Sequence, residues 1–93
     1  MKTQKEIKLK TGETLPKGLP VSFIMGEPSL VTVQGATREY RVRTTSAFKS
    51  PSLASLERYM DDGICESVFG ERIEPDGWDS HGSPSWFLAL GMI

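Results

Sequence analysis

Apolar and polar residues alternate with a period of two through the first half of the chain, a pattern typical of short β-strands. Strands are predicted around Ile7 and Leu9, over Val21–Met25, over Leu30–Gln34 and over Glu39–Thr45. Leu15–Pro20 is predicted as a loop, because its prolines cannot donate to a sheet ladder, and Gly26-Glu27-Pro28 is predicted to close the second strand. We therefore predict a small antiparallel sheet or barrel.

The period changes in the second half of the chain. Leu53, Leu56 and Met60 recur at helical spacing and predict an amphipathic helix. Ser50-Pro51 predicts its start, with Ser50 as N-cap, and Asp61-Asp62-Gly63 predicts its end. After it, Ile64–Val68 and Arg72-Ile73 predict a short hairpin, and in the alternative Ile64–Val68 prolongs the helix.

A second Ser-Pro pair, Ser83-Pro84, predicts the start of a last apolar segment, Ser85–Met92, with two short helical turns. We favour a core role, in which Trp86, Leu90 and Ile93 share one face and Trp78 packs beside them, because a small domain needs most of its apolar residues. In the alternative, this tail docks onto a second copy or a host protein. A homo-oligomer formed through the tail is therefore retained as an alternative.

Two resemblances add expectations. Glu74-Pro75-Asp76-Gly77-Trp78-Asp79 and the Gly-Ser-Pro-Ser-Trp-Phe-Leu-Ala-Leu-Gly run that starts at Gly82 resemble the ending of small uncharacterised bacterial proteins of phage and plasmid DNA. This resemblance implies an accessory protein of a mobile element and supplies no activity. The strand pattern of the first half resembles that of small SH3-like barrels, and it implies a fold without a function.

Charge divides the chain into two parts. Residues 1–49 hold nine Lys and Arg against four Glu, whereas residues 50–93 hold two Arg against eight Asp and Glu. With 93 residues in total, we predict a single domain, 1–93, with a basic β part and an acidic part that contains the helix, the hairpin and the Trp-anchored segment. No leader or membrane span is recognisable, so we expect a soluble cytoplasmic protein without a membrane partner.

The basic residues form a candidate nucleic-acid surface. Alternation places Arg41 and Arg43 on one face of their strand, and Lys8 and Lys10 on the polar face of theirs. If these strands share a sheet, the four cations form one face that would bind phosphates, with Lys17, Arg38 and Lys49 at its rim. In the alternative, this face is simply solvated, or it faces the acidic half.

The acidic residues form a candidate protein-binding surface, consisting of Glu57, Asp61, Asp62 and Glu66. Glu57 and Asp61 are four residues apart and repel each other, and the two aspartates at a helix C-terminus oppose its dipole. Local rules broken in this way often mark a functional surface. The alternative is an ordinary exposed helix in which Arg58 pairs with Asp62.

The sequence contains few candidate catalytic or metal-binding residues. The single cysteine, Cys65, precedes a glutamate that disfavours its thiolate. The best metal-ligand cluster is Glu74, Asp76, Asp79 and His81, but zinc favours several Cys and His ligands and the spacing does not match a calcium loop. We therefore predict no catalytic residue, no metal and no cofactor.

These patterns together predict an α+β domain that acts as a non-catalytic macromolecular binding module. A protein-interaction or inhibitor role through the acidic helix is favoured. Nucleic-acid binding is the first alternative, and a metal-dependent enzyme built on the Asp76–His81 loop is the least favoured.

Overall fold

The computed structural model describes residues 1–93 and shows a small α+β protein with three antiparallel sheets and three short helices. The chain divides into two compact units, Met1–Lys49 and Ser50–Ile93. This division falls at the predicted change from basic to acidic sequence. The α+β class is confirmed, whereas the predicted barrel is not found, because the strands form separate small sheets and no closed barrel is detected.

Antiparallel strands make up most of the first unit. Its elements in chain order are β1 (Ile7–Lys8), β2 (Thr14–Leu15), β3 (Val21–Ile24), β4 (Glu27–Gln34), β5 (Glu39–Arg43) and the helix α1 (Thr44–Ala47). β1 pairs only with β2, and β3, β4 and β5 form a separate three-stranded sheet in that order.

The three-stranded sheet has a buried face and a polar face. Val31 and Val33 of β4 are completely buried, and Phe48 after α1 stacks on Phe23 of β3 with ring centres 5.8 Å apart. On the opposite face, Thr32 of β4 lies directly across from Arg41 of β5. The predicted period-two pattern is therefore confirmed for these central strands.

Three local predictions in the first unit were wrong. Leu15, predicted in a loop, belongs to β2, and Glu27-Pro28 opens β4, because the turn lies at Met25-Gly26 with Gly26 at φ +80°. Thr44, predicted as strand, begins α1. Its buried hydroxyl donates to the Pro28 carbonyl at 2.8 Å, and such side-chain bonds compete with the strand ladder.

The second unit contains two helices and a hairpin. α2 spans Leu53–Asp62, β6 (Cys65–Glu66) pairs with β7 (Arg72–Ile73), and α3 spans Trp86–Ala89. The hairpin is confirmed, as is the end of α2 at Gly63, which adopts φ +69°. None of the helices has the length and apolar character needed to cross a membrane.

Both helices of the second unit are capped by the serine that follows the predicted Ser-Pro pair. Ser52 accepts a hydrogen bond from the Ser55 amide at 3.2 Å, and Ser85 accepts one from the Leu88 amide at 3.1 Å. The prediction of Ser50 as N-cap was therefore wrong, and α3, with four residues, forms one helical turn where two were predicted over Ser85–Met92. Each proline is flanked by two serines, and the backbone path decides which hydroxyl reaches an amide three residues later.

The buried apolar side chains of the second unit are Leu56, Cys65, Val68, Trp86, Phe87 and Ala89. Tyr59 of α2 presents its ring edge to Phe87, with ring centres 6.4 Å apart. The core role predicted for the C-terminal segment is confirmed for Trp86. It was wrong for Ile93, which is 63% exposed, and for Trp78, which is 38% exposed.

Candidate functional site

The solvent face of α2 combines apolar and acidic residues. Leu53, Glu57, Met60 and Asp61 share this face, because Glu57 lies four residues after Leu53, three before Met60 and four before Asp61. Leu53 and Met60, two of the apolar positions that predicted the amphipathic helix, are 71% and 66% exposed, and both carboxylates are exposed as well. Leu56 and Tyr59 provide the inward face instead. We refer to Leu53, Glu57, Met60 and Asp61 as the mixed face.

The C-terminal end of α2 leaves its acidic residues uncompensated. No basic residue lies in the last turn of the helix, where the helix dipole disfavours anions by about 0.3–1 kcal/mol each. The predicted alternative, an Arg58–Asp62 ion pair, was wrong, since no such pair lies within 4.0 Å. Glu57 and Asp61 likewise have no cationic nitrogen within that distance.

The structure separates the four predicted protein-binding residues into two pairs. Glu57 and Asp61 lie on the mixed face, whereas Asp62 and Glu66 line a cleft of about 280 Å³ together with Arg58 and Arg72. The Glu66 carboxylate accepts a hydrogen bond from the Tyr59 hydroxyl. Two guanidinium groups therefore accompany Asp62 and Glu66, so the mixed face is the more consistently acidic of the two surfaces.

The Tyr59–Glu66 contact has an electrostatic consequence. Burial raises the pKa of Tyr59 to about 12, and the hydrogen bond to Glu66 and the charge of that carboxylate act in the same direction. Tyr59 is therefore a neutral hydrogen-bond donor at physiological pH. The neighbouring Cys65 is 1% exposed, and its thiol donates to the Glu66 carbonyl, so it is not presented as a nucleophile.

The candidate cationic surface is divided between two sheets. Arg41 and Arg43 are exposed on β5, while Lys8 lies on β1, which does not pair with any strand of that sheet. The condition for a single cationic sheet face, that these strands share a sheet, is not met. Lys10, which follows β1, is exposed.

Arg38 is the one basic residue of the first unit with an acidic partner. Its guanidinium lies 3.8 Å from the Glu13 carboxylate and 4.7 Å from the centre of the Tyr40 ring. The Tyr40 hydroxyl donates to the same carboxylate at 3.1 Å. The other basic side chains of this unit have no carboxylate within 4.0 Å. Internal neutralisation within the unit is therefore limited to Arg38.

A candidate metal cluster differs from the predicted one. Potential ligand atoms of Glu71, Asp79 and His81 lie within 4.8 Å of one another, whereas Glu74 and Asp76 are not part of this group. The hairpin brings Glu71 close to the loop that contains Asp79 and His81. Sequence spacing alone did not reveal this proximity. Glu71 already accepts hydrogen bonds from the amide and hydroxyl of Ser80 and lies 3.3 Å from Nδ1 of His81.

Asp79 acts as a hydrogen-bond acceptor for its own loop. Its carboxylate accepts bonds from the Ser67 hydroxyl at 2.6 Å and from the His81 and Ser83 amides at 2.8 Å each. Burial alone would raise the pKa of Asp79, but these hydrogen bonds outweigh it and lower the pKa below its ordinary value. Protein donors therefore account for the geometry of this cluster without a metal ion.

Comparison of the chain with protein-family models, with curated proteins and with solved structures found no match. The resemblance of the C-terminal block to phage and plasmid proteins stays a prediction.

Proposed function

We propose that the protein is a non-catalytic interaction module whose second unit binds a basic segment of another protein. One observation carries this proposal: the mixed face leaves Leu53 and Met60 71% and 66% exposed beside two unpaired carboxylates. Large apolar side chains are worth about 1.5–3 kcal/mol each when buried, so a small unit that leaves them in water has surface available for a partner.

The negative charge of the second unit favours a basic partner. The second unit carries eight acidic and two basic side chains, and both arginines line the cleft rather than the mixed face. Complementary charge accelerates association and disfavours acidic competitors more than it adds affinity. An inhibitor or accessory protein of a mobile element, as the C-terminal resemblance implies, would act through a surface of this kind.

A peptide array tests this proposal directly. Peptides with increasing Lys and Arg content are probed with the wild type, with Glu57→Lys plus Asp61→Lys, and with Glu74→Lys plus Asp76→Lys as a control of equal charge change. We expect the wild type and the control to select basic peptides, and the first double variant to bind them at least about fivefold more weakly. An equal loss of peptide binding in both double variants would mean that the protein attracts basic peptides through its net charge alone.

Nucleic-acid binding is a second candidate, supported by one observation. Arg41 and Arg43 are exposed on the polar face of β5, and neither has a carboxylate within 4.0 Å. The separation of Lys8 from their sheet and the contact of Arg38 with Glu13 weaken this candidate. A metal-dependent enzyme is the least supported, because Asp79 is held by protein donors.

A further inference from the structure

A small apolar groove adjoins the mixed face of the second unit. Its volume is about 220 Å³, and it is lined by Met60, Pro75, Phe87, Met92 and Ile93. Phe87 is buried, whereas Met60, Met92 and Ile93 are 66%, 47% and 63% exposed. None of these side chains carries a charge, so the surface of the groove is predominantly apolar.

We propose that this groove receives a large apolar side chain of the partner, which also places a Lys or Arg against Glu57 and Asp61. The inference rests on the proposed function and specifies the partner as an amphipathic basic segment rather than any polycation. Met60 belongs to both the groove and the mixed face. The apolar and the electrostatic contacts would therefore be made side by side.

The size of the groove favours a side chain over a free small molecule. Pockets for drug-sized ligands usually measure roughly 300–1,000 Å³, which is larger than the 220 Å³ available here. Two of its exposed side chains are methionines, whose flexible thioethers adapt to partners of different shape. The groove is thus suited to a single apolar anchor within a longer contact.

The charges beside the groove favour a basic partner over a second copy of this chain. Glu57 lies one helical turn before Met60, which lines the groove, and Asp61 lies one turn after Glu57 on the same face. A symmetric dimer would bring these carboxylates near their own copies, because an isologous interface uses the same patch twice. An anionic membrane surface would be repelled for the same reason.

Methionine methyl NMR tests the location of the contact. The chain has four methionines, of which only Met60 and Met92 line the groove, while Met25 is 95% exposed in a turn of the first unit. The probes are an amphipathic Leu/Lys peptide and a matched peptide with Ser in place of Leu. We expect the Leu/Lys peptide to shift the Met60 and Met92 signals and leave Met25 unchanged, and the Ser/Lys peptide to bind about tenfold more weakly.

Substitutions separate the contribution of the groove to peptide binding from that of the two carboxylates. Met60→Ser plus Met92→Ser should weaken binding of the Leu/Lys peptide about tenfold, whereas Met25→Ser is the control and should have no effect. Both groove methionines are exposed, so the fold should tolerate the change, and tryptophan fluorescence during urea unfolding verifies this. If Glu57→Lys plus Asp61→Lys weakens binding while the methionine variant does not, the groove proposal is overturned and the proposed function stands.

The remaining outcomes are equally decisive. If neither set of variants changes binding, or if the Leu/Lys peptide does not bind, both proposals are overturned. Equal affinity for the Leu/Lys and Ser/Lys peptides overturns the groove proposal and leaves the proposed function standing. Concentration-dependent dimerisation in sedimentation that Met60→Ser plus Met92→Ser abolishes would assign the groove to a second copy and overturn the partner proposed here.

Discussion

Replacement of Asp79 by alanine should destabilise the second unit more than any other loss of a single carboxylate there. Asp79 is 8% exposed and accepts three hydrogen bonds, two of them from residues that are themselves almost fully buried, Ser67 and Ser83. The Ser67 hydroxyl in turn accepts bonds from the Gly70 and Glu71 amides at 3.1 Å each. Asp79 therefore links the hairpin turn to the Trp78–Pro84 loop.

The magnitude follows from the donors that Asp79→Ala leaves without a partner. The His81 amide belongs to an exposed residue and can bind water, but the Ser67 hydroxyl and the Ser83 amide are buried. A buried donor that loses its partner costs about 1–3 kcal/mol, so two of them predict a loss of about 2–6 kcal/mol in the free energy of unfolding. The Ser83 hydroxyl is buried without a partner in the wild type already, so it adds nothing to this difference.

Urea unfolding followed by tryptophan fluorescence measures this loss. Both tryptophans of the chain, Trp78 and Trp86, belong to the second unit and therefore report on its unfolding. Asp76→Ala removes an exposed carboxylate that makes no side-chain hydrogen bond, in the turn just before this loop. It is the control and should change the free energy of unfolding by less than about 0.5 kcal/mol. A loss for Asp79→Ala below about 1 kcal/mol, or no larger than that of the control, would refute the argument.

The pH dependence provides a second measure of the same contact. The folded pKa of Asp79 lies below the unfolded value of 3.8, so the stability contributed by its ionised form is present above that value and is lost as the pH falls through the folded pKa. The difference between wild type and Asp79→Ala should therefore be largest near neutral pH and shrink below pH 3.8. A difference that stays constant down to acid unfolding would contradict this assignment.

Two further predictions concern the alternatives to protein binding. Arg41→Glu plus Arg43→Glu should abolish any binding of short mixed DNA or RNA measured by fluorescence anisotropy at low salt, because these unpaired cations are the strongest phosphate ligands on β5; unchanged binding would exclude this surface. Chelation by EDTA should leave the urea midpoint of the second unit unchanged, because Asp79 is held by protein donors, and a lower midpoint that Zn²⁺ or Mn²⁺ restores would instead establish a metal site that includes His81.

Several elements could be predicted because their signals are local. Period-two alternation located the central strands, since a strand half-buried in a sheet must alternate, and Val31 and Val33 are buried as this requires. The end of α2 at Gly63 was predictable because a left-handed residue at that position favours glycine. The helix starts were less predictable, because two serines near each proline satisfy the same rule.

The candidate site was only partly predictable. The acidic residues of α2 were recognised because carboxylates at a helix C-terminus violate a local rule, whereas the exposure of Leu53 and Met60 was not, since apolar residues at helical spacing usually face a core. The groove remained unrecognised because its lining comes from α2, the Pro75 turn and the C-terminal residues. The contribution of Glu71 to the metal-like cluster was missed for the same reason.

The sequence alone determined the α+β class, the basic and acidic halves and most strand positions, because these depend on composition and on the period of neighbouring residues. Only the tertiary structure decided which strands share a sheet, which face of α2 is buried and which apolar residues remain in water. Those outcomes depend on contacts between residues far apart in the chain, as in the hydrogen bond from Ser67 to Asp79.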